Sequence, residues 1–305
     1  MRDAALTRPP GHSYPRTMSQ VHPTPLEPGL AAKQDHLLAQ LRASGPLLVA
    51  YSGGVDSAYL AWAAHRALGP AALAVTAESP SYPRSHRAAA ESFAREVGFA
   101  HRFVATLEID NPDYARNPSD RCYFCKTELF DVLERLRVEL GFRSVAYGIN
   151  ADDRGDFRPG HRAAEEHRVL SPLLDAALDK AGIRALARHA GLACAELPAS
   201  ACLSSRIPYG MPVTPEKLRQ IDRAEDALRA LGFRQVRVRH HGDLARVELA
   251  TDELDSALDR ARIREISGRL HDLGFRWVSL DLDGYRTGSL NEVLQILPAP
   301  ERRDV

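Results

Sequence analysis

Apolar and polar positions follow two different periods along the first two thirds of the chain. Short apolar runs of the kind found in buried strands occupy residues 46–52, 71–79, 101–107 and 143–150. Stretches in which apolar residues recur every three or four positions predict helices over residues 55–69, 84–98, 126–141 and 179–191. Strands that alternate with helices of this length predict a doubly wound parallel sheet, covered on both faces, in an α/β fold.

The pattern changes after about residue 210. Thr214 and Pro215 are a typical N-cap and first residue for a helix over residues 214–232. A hairpin that turns at residues 241–243 follows, and then come one long helix and a last strand, over residues 251–274 and 275–285. These elements predict a smaller C-terminal domain of the α+β class.

Three segments with different composition therefore make up the chain. Residues 1–28 are rich in Pro, His and Ser without periodicity, and we interpret them as a disordered tail. Residues 29–210 are expected to form the α/β domain. Residues 211–300 are expected to form the α+β domain, with a role in substrate binding or oligomerisation.

Charge and hydropathy exclude several classes of protein. The 305 residues include 40 Lys and Arg and 40 Asp and Glu, so the formal net charge is zero and nucleic-acid binding is disfavoured. No apolar run reaches the roughly 18 residues that a membrane helix needs. The first residues lack the apolar core of a secretory signal, so we expect a cytoplasmic protein with no membrane partner.

The strongest local motif joins the first predicted strand to the first helix. It comprises Ser52, Gly53, Gly54, Val55, Asp56 and Ser57. The start of a helix presents free N–H groups to an anion, and glycines let phosphate oxygens approach the main chain. Asp56 repels bare phosphate, so it is expected to orient a metal ion or to cap the backbone. A purely structural turn is the alternative; the Walker and dinucleotide-binding motifs are both absent.

This hexapeptide resembles the signature of the PP-loop ATP pyrophosphatases. That family adenylates a substrate oxygen with ATP, releases pyrophosphate, and has a doubly wound parallel sheet. The resemblance implies ATP and Mg²⁺ as cofactors, with the hexapeptide holding the pyrophosphate group. It further implies that Glu78 lies near the adenine and that Gly148, Asn150 and Asp153 belong to a second segment beside ATP.

Further stretches narrow the resemblance to the LarE family. They are "AVTAESPSYPRSH", "DRCYFCKTELF", "YGINADDRGDFRPG", "PASACLSSRIPYG" and "DGYRTGSLN", and the similarity extends over about residues 32–295. LarE proteins insert sulfur during synthesis of the nickel-pincer nucleotide, the cofactor of lactate racemase. The resemblance implies a pyridinium dicarboxylate mononucleotide as the small-molecule substrate and a homo-oligomer, a hexamer, as the assembly.

Such chemistry has a physical rationale. A carboxylate is a poor electrophile, and transfer to AMP neutralises its charge and supplies a leaving group. A sulfur nucleophile can then attack the acyl-adenylate and leave a thiocarboxylate. Because thiolate sulfur is a strong nucleophile, the reaction needs a cysteine or bound sulfide nearby.

Four cysteines are candidates for this step: Cys122, Cys125, Cys194 and Cys202. In the LarE pattern Cys202 matches the sulfur-donating cysteine, which in one branch gives up its own sulfur. Here Cys122, Cys125 and Cys202 together supply three thiolates, enough for a [4Fe–4S] cluster with one iron open to sulfide from a sulfur donor. A pair of free thiols or a zinc site that includes Cys194 remains possible. We favour the cluster, and a place for Cys194 in the core.

Four arginines and one tryptophan also have expected roles or positions. Arg206 and Arg286 are candidates for binding a substrate phosphate or carboxylate. Arg237 and Arg239 share one face of a strand, which we interpret as a solvated edge. Trp277 is expected in the core.

Three other functions compete with LarE-type sulfur transfer. Some PP-loop enzymes thiolate tRNA with a similar three-cysteine cluster, but zero net charge and the lack of an added basic module disfavour tRNA. An amidating PP-loop ligase would not need three cysteines. A nucleotide-sensing adaptor without turnover would have lost a residue of the intact hexapeptide.

Overall fold

A parallel four-stranded sheet forms the centre of the N-terminal part of the molecule. The computed structural model describes residues 26–153, 159–198 and 200–286. The strands are β1 (Leu47–Ala50), β2 (Ala72–Glu78), β3 (His101–Ala105) and β4 (Ser144–Tyr147), in the order β3-β2-β1-β4. Leu47 and Val49 enter one apolar core and Leu48 and Ala50 the other. Both faces are buried, as continuous apolar strands predict.

Helices cover both faces of this sheet. They are α1 (Pro28–Ser44), α2 (Val55–Leu68), α3 (Arg84–Val97), α4 (Pro112–Ala115), α5 (Arg121–Leu140), α6 (Pro159–Glu166), α7 (Pro172–Asp175) and α8 (Lys180–His189). Helices α1, α2, α3 and α8 contribute to the core on one face, and α5 and α6 to the core on the other. The predicted doubly wound α/β fold is confirmed.

A second, smaller sheet follows in the C-terminal part. Its elements are α9 (Pro215–Ala230), β5 (Val236–His241), β6 (Leu244–Leu249), α10 (Leu254–Ala257), α11 (Arg260–Asp272) and β7 (Trp277–Leu280). β5 and β6 form the predicted antiparallel hairpin, and β7 joins β6 in parallel. Residues of α9, α11 and the sheet share a separate apolar core. The α+β class of this part is confirmed, and no helix within the described ranges has both the length and the apolarity to cross a membrane.

The structure differs from the predicted elements at several places, among them the short helices α4, α6 and α7, which were not predicted. α1 was not predicted, because it buries only Leu37 and Leu41 completely and has no broad apolar stripe. α5 begins at Arg121 instead of residue 126. The helix predicted over residues 251–274 is interrupted where the Asp259 carboxylate accepts hydrogen bonds from two backbone N–H groups, which start α11. Trp277 is 61% exposed on the edge strand β7 and is not in the core.

A buried ion pair joins the two parts of the molecule. Arg206 and Glu225 are both fully buried, and their side chains meet through two hydrogen bonds of 2.8 and 3.1 Å. Arg206 also donates to the carbonyl oxygens of Ala201 and Cys202, each at 2.9 Å. The segment of residues 200–206, called the cysteine loop below, is thereby fixed to α9.

We predict that Glu225→Ala lowers the free energy of unfolding by about 3–5 kcal/mol, because it leaves the Arg206 charge buried and uncompensated. Urea denaturation measures this loss. Glu91→Ala is the matched control, since it removes a half-exposed partner of Arg95 on α3 and should change stability by less than about 0.5 kcal/mol. Equal effects of the two substitutions would contradict the assignment.

Candidate active site

The hexapeptide lies where the strand order of the sheet reverses. β2 and β3 extend from β1 to one side, and β4 pairs with its other side. The hexapeptide follows β1 and the segment 148–153 follows β4, so both leave the carboxyl edge of the sheet at this switch point. Ligands of doubly wound sheets bind in such a crevice.

The hexapeptide closes on itself at the start of α2. Gly53 has φ +81°, a conformation that favours glycine, and Gly54 is the N-cap of α2. The Ser57 hydroxyl donates to the Gly54 carbonyl at 3.0 Å and lies 3.0 Å from the Ser52 hydroxyl. Val55 is buried in the core below. The loop is thus folded in a shape that presents the beginning of α2 to the crevice.

Asp56 is held by two polar side chains from neighbouring segments. Lys180, at the start of α8, donates to Asp56 Oδ2 at 2.6 Å, and the Asn150 amide donates to the same oxygen at 3.3 Å. The other oxygen, Oδ1, is buried and has no hydrogen-bond partner among the described residues. Lys180 was missed in the sequence because it lies 124 residues from Asp56 and no local pattern marks it.

The segment after β4 packs tightly against the hexapeptide. A Cβ added at Gly148 would lie 2.8 Å from the Ser57 nitrogen and 2.9 Å from its Cα, so only glycine fits. The Asn150 N–H donates to the Asp153 carboxylate at 3.1 Å. Gly148 and Asn150 therefore lie beside the hexapeptide, and Asp153 is bound to Asn150.

Glu78 ends β2 on the other side of the hexapeptide. Its carboxylate accepts a 2.6 Å hydrogen bond from Arg87, whose guanidinium stacks 4.1 Å from the centre of the Phe103 ring. An open cleft of about 270 Å³ begins here and extends between α3 and α9. It is lined by Glu78, Ser79, Pro80, Tyr82, Arg84, Arg87, Leu218, Arg219, Asp222 and Arg223.

The beginning of α3 and the cysteine loop form another wall beside the hexapeptide. The Tyr82 hydroxyl donates to the Ser52 carbonyl at 3.1 Å, and Ser200 lies 3.1 Å from His86 Nδ1. Burial, followed by the charges of nearby arginines including Arg206, lowers the pKa of His86 to about 4. The imidazole is therefore neutral at physiological pH. Neither His86 nor Ser200 was predicted as a site residue, although both lie in stretches that resemble the LarE family.

Three of the four cysteines lie close enough together to influence one another's ionisation. Cys122 and Cys125 occupy the first turns of α5, and Cys202 immediately precedes a short 3₁₀ turn, Leu203–Arg206. Cys122 reaches the surface, and the other two are half-buried. Within the described ranges, no three His, Cys, Asp or Glu side chains are grouped closely enough to hold one metal ion.

The charges around Cys122, Cys125 and Cys202 show that these thiols influence one another's pKa. Loss of surrounding water raises the pKa of Cys122, and the charge of Cys202 raises it further, whereas Arg121 and Lys126 lower it. Burial also raises the pKa of Cys125, followed by the charge of Glu108 and then that of Cys202. Without a bound cation, both thiols of α5 therefore favour the protonated form.

Cys194 lies elsewhere, in the core shared by α2 and α8. It is 1% exposed, and burial raises its pKa to about 12. This position agrees with the expected core role and removes Cys194 as a fourth zinc ligand.

The predicted arginines occupy different surroundings. Arg286 is 48% exposed, with Asp283 at 3.6 Å. Arg206 was expected to meet a substrate anion, but its fully buried guanidinium binds Glu225 and the cysteine loop instead.

Arg237 and Arg239 are also buried, so the interpretation of a solvated edge was wrong: α9 and the cysteine loop cover this face. Burial and the Arg206 charge lower the pKa of Arg237 to about 10.

Relatives from other organisms match most of the chain. An uncharacterised protein of Synechocystis sp. is 44% identical over 247 residues, which are 81% of this chain and 92% of that protein. The pyridinium-3,5-bisthiocarboxylic acid mononucleotide synthase of Lactiplantibacillus plantarum, a LarE protein, is 36% identical over 270 residues, 87% of this chain and 96% of the synthase. The chain belongs to the LarE family.

A shorter match supports the PP-loop character of this LarE protein. The tRNA(Ile)-lysidine synthase of a Bradyrhizobium strain is 42% identical over 79 residues, 24% of this chain and 22% of that synthase. No protein-family model matches the chain. Both functionally named relatives are synthases, so this member of the LarE family is an enzyme.

Gly148→Ala tests the contact between the two segments of the crevice. We expect it to lower the free energy of unfolding by about 1–3 kcal/mol, because its methyl group would overlap backbone atoms of Ser57. Gly268→Ala is the matched control in α11: its Cβ meets nothing within 4 Å, and it should stabilise the protein by about 0.5–1 kcal/mol. Urea denaturation of both variants provides the comparison. If Gly148→Ala leaves the free energy of unfolding unchanged, the hexapeptide and the segment 148–153 are not in contact.

Proposed function

We propose that this enzyme is an AMP-forming, ATP-dependent sulfur transferase acting on a pyridinium dicarboxylate mononucleotide. One structural element carries the proposal: the cysteine loop connects the hexapeptide with the thiols. A Cβ at Gly54 would lie 3.8 Å from Ser200 Cβ, while Cys202 is close enough to Cys122 to raise its pKa. A carboxylate activated at the hexapeptide would be near a sulfur source. The name of the Lactiplantibacillus relative supports a thiocarboxylate product.

The hexapeptide and its neighbours would carry out adenylation. N–H groups at the start of α2 and the Lys180 ammonium supply positive charge for the phosphates, which supports ATP as the co-substrate. The buried, unpartnered Oδ1 of Asp56 is a suitable oxygen ligand for Mg²⁺. Magnesium in phosphate sites often uses only one or two carboxylates together with phosphate oxygens, so this donor set fits. Gly148 and Asn150 keep Asp56 in place, and Glu78 borders the adenine side.

Sulfur would reach the activated carboxylate from the site formed by the three thiols of Cys122, Cys125 and Cys202. In a [4Fe–4S] cluster each cysteine binds a separate iron, so thiols need not converge on one ion, and the donor set fits this cofactor. When bound, the cluster would supply an open iron that carries sulfide from a sulfur donor. The protein's own part is to keep Cys122, Cys125 and Cys202 beside the crevice. A bond forms between sulfur and the carbonyl carbon, and the bond to the AMP oxygen breaks.

The mononucleotide would be bound at the mouth of this crevice. Arg286, in the C-terminal part of the chain, remains our candidate for its carboxylate or phosphate, because its guanidinium is half-exposed. We now assign Arg206 a positioning role, since it donates to the carbonyl oxygen of Cys202 itself. The LarE resemblance also supports a homo-oligomeric assembly.

Adenylation and sulfur transfer should separate in a pyrophosphate assay. Asp56→Asn should slow substrate-dependent pyrophosphate release by roughly 100-fold, because it weakens cation binding at the phosphates. Cys202→Ala should still release pyrophosphate in the first turnover but form no thiocarboxylate. Asp35→Asn, which changes an exposed carboxylate on α1, is the control. Pyrophosphate release that depends on tRNA, and not on the mononucleotide, would refute the proposed substrate.

Iron analysis tests the source of the sulfur. After anaerobic reconstitution we expect about four irons and four sulfides per chain, and loss of both in Cys122→Ala, Cys125→Ala and Cys202→Ala. Cys194→Ala should retain them, because Cys194 belongs to the core. If the wild type binds no iron, and mass spectrometry after turnover shows loss of hydrogen sulfide from Cys202, the protein donates its own sulfur once instead.

A further inference from the structure

A buried arginine without an acidic partner lies beside the three thiols. Arg121 is 3% exposed, and its guanidinium donates to the side-chain carbonyl of Asn117 and, at 3.0 Å, to the main-chain carbonyl of Ser204. Both acceptors are neutral. Among the described residues no carboxylate lies within ion-pair distance of Arg121.

Two other buried arginines are paired with carboxylates. Arg206 is paired with Glu225, and Arg239 with Glu248 at 2.6 Å. A buried charge that lacks a counter-ion is costly, and neutral hydrogen-bond acceptors offset only part of that cost. Arg121 therefore requires a negative group that is not a carboxylate of the described chain.

The groups that face Arg121 identify this negative charge. Arg121 directly precedes Cys122 at the start of α5. Its partner Ser204 lies only two residues after Cys202, so the guanidinium is held between the two segments that carry these thiols. The remaining neighbours are phenols, with the Tyr209 ring centre 5.9 Å away. Sulfur is thus the available source of negative charge.

The guanidinium is also held rigidly. Asn117 is fully buried with φ +60°, and its amide donates to the carbonyl oxygens of Ile207, Pro208 and Met211. Through Asn117 and Ser204, Arg121 is fixed between α5 and the end of the cysteine loop. A fixed cation of this kind needs no rearrangement when an anion forms next to it.

We propose that Arg121 is the counter-ion of the sulfur site, a positioning residue that stabilises anionic sulfur held between α5 and the cysteine loop. The nature of that anion, cysteine thiolate or a thiolate-bound cluster, rests on the proposed function. The charge on Arg121 compensates the thiolates, and its bonds to Asn117 and Ser204 keep that charge between α5 and the cysteine loop. Hydrogen bonds and charges near the sulfur atoms are among the factors that set the reduction potential of an iron–sulfur cluster.

The test compares Arg121→Gln, Arg121→Lys and wild type after anaerobic reconstitution. Arg116→Gln is the matched control, because Arg116 lies on the same stretch of chain, is 74% exposed and pairs with Asp113. The readouts are iron content and reduction potential, followed by electron paramagnetic resonance. We expect Arg121→Gln to shift the one-electron equilibrium at least tenfold toward the oxidised cluster, which is 59 mV to more negative potential. Arg121→Lys, which keeps the charge, should shift it much less.

If the wild-type protein binds the iron–sulfur cluster, either of two results would overturn the proposal. One is an unchanged potential in Arg121→Gln at full iron content. The other is equal loss of iron in Arg121→Gln and Arg121→Lys. That result would show that Arg121 acts only through its hydrogen bonds to Asn117 and Ser204.

If the wild type binds no iron, the cluster part of the proposed function fails and the counter-ion proposal is judged on the metal-free protein. A double-mutant cycle of Arg121→Gln with Cys202→Ser, measured by thermal unfolding, then decides. Coupling between the two substitutions supports an Arg121–thiolate interaction. Strictly additive effects overturn it.

Discussion

The ion pair of Arg206 with Glu225 is the interaction on which the arrangement of the crevice depends. Neither group is exposed, and the same guanidinium binds two carbonyl oxygens of the cysteine loop. One side chain thereby fixes Cys202 relative to α9. A buried pair adds little net stability, but it makes alternative positions of the loop costly, because each would leave a charge unpaired. Its contribution is to specify one geometry.

The two halves of the crevice differ in electrostatic character. Around the hexapeptide, the N–H groups of α2 and Lys180 favour phosphate, and a carboxylate oxygen is available for a cation. Around the thiols, burial and the Glu108 carboxylate oppose ionisation of Cys125, and Arg121 favours negative charge on Cys122. Glu108 accepts from the hydroxyls of Ser79 and Ser81, so it borders both halves. In the proposed function, this difference separates activation of the carboxylate from storage of sulfur.

Local patterns in the sequence were sufficient for the fold and for the hexapeptide. Apolar runs predicted the four parallel strands, and the glycine pair predicted a strand-to-helix turn, because both depend on neighbouring residues. The contacts of the site depend on residues far apart in the chain. The Val-Arg-Val-Arg alternation of β5 is typical of a half-exposed strand, and only the packing of α9 and the cysteine loop shows that Arg237 and Arg239 are buried. Nothing near Lys180 or Arg121 marks their partners.

The cysteine loop has a consequence for how the protein folds. The Leu203 N–H donates to the Ser81 carbonyl at 2.8 Å, and Ser204 bonds to Tyr114, 90 residues away. Such contacts close long stretches of chain, and their entropic cost is met only after the intervening elements have formed. Cys202 therefore joins Cys122 and Cys125 late, after the parallel sheet and α9 exist. Until then the nascent chain carries three separate thiols, so assembly of the proposed sulfur site would require that these thiols stay reduced during folding.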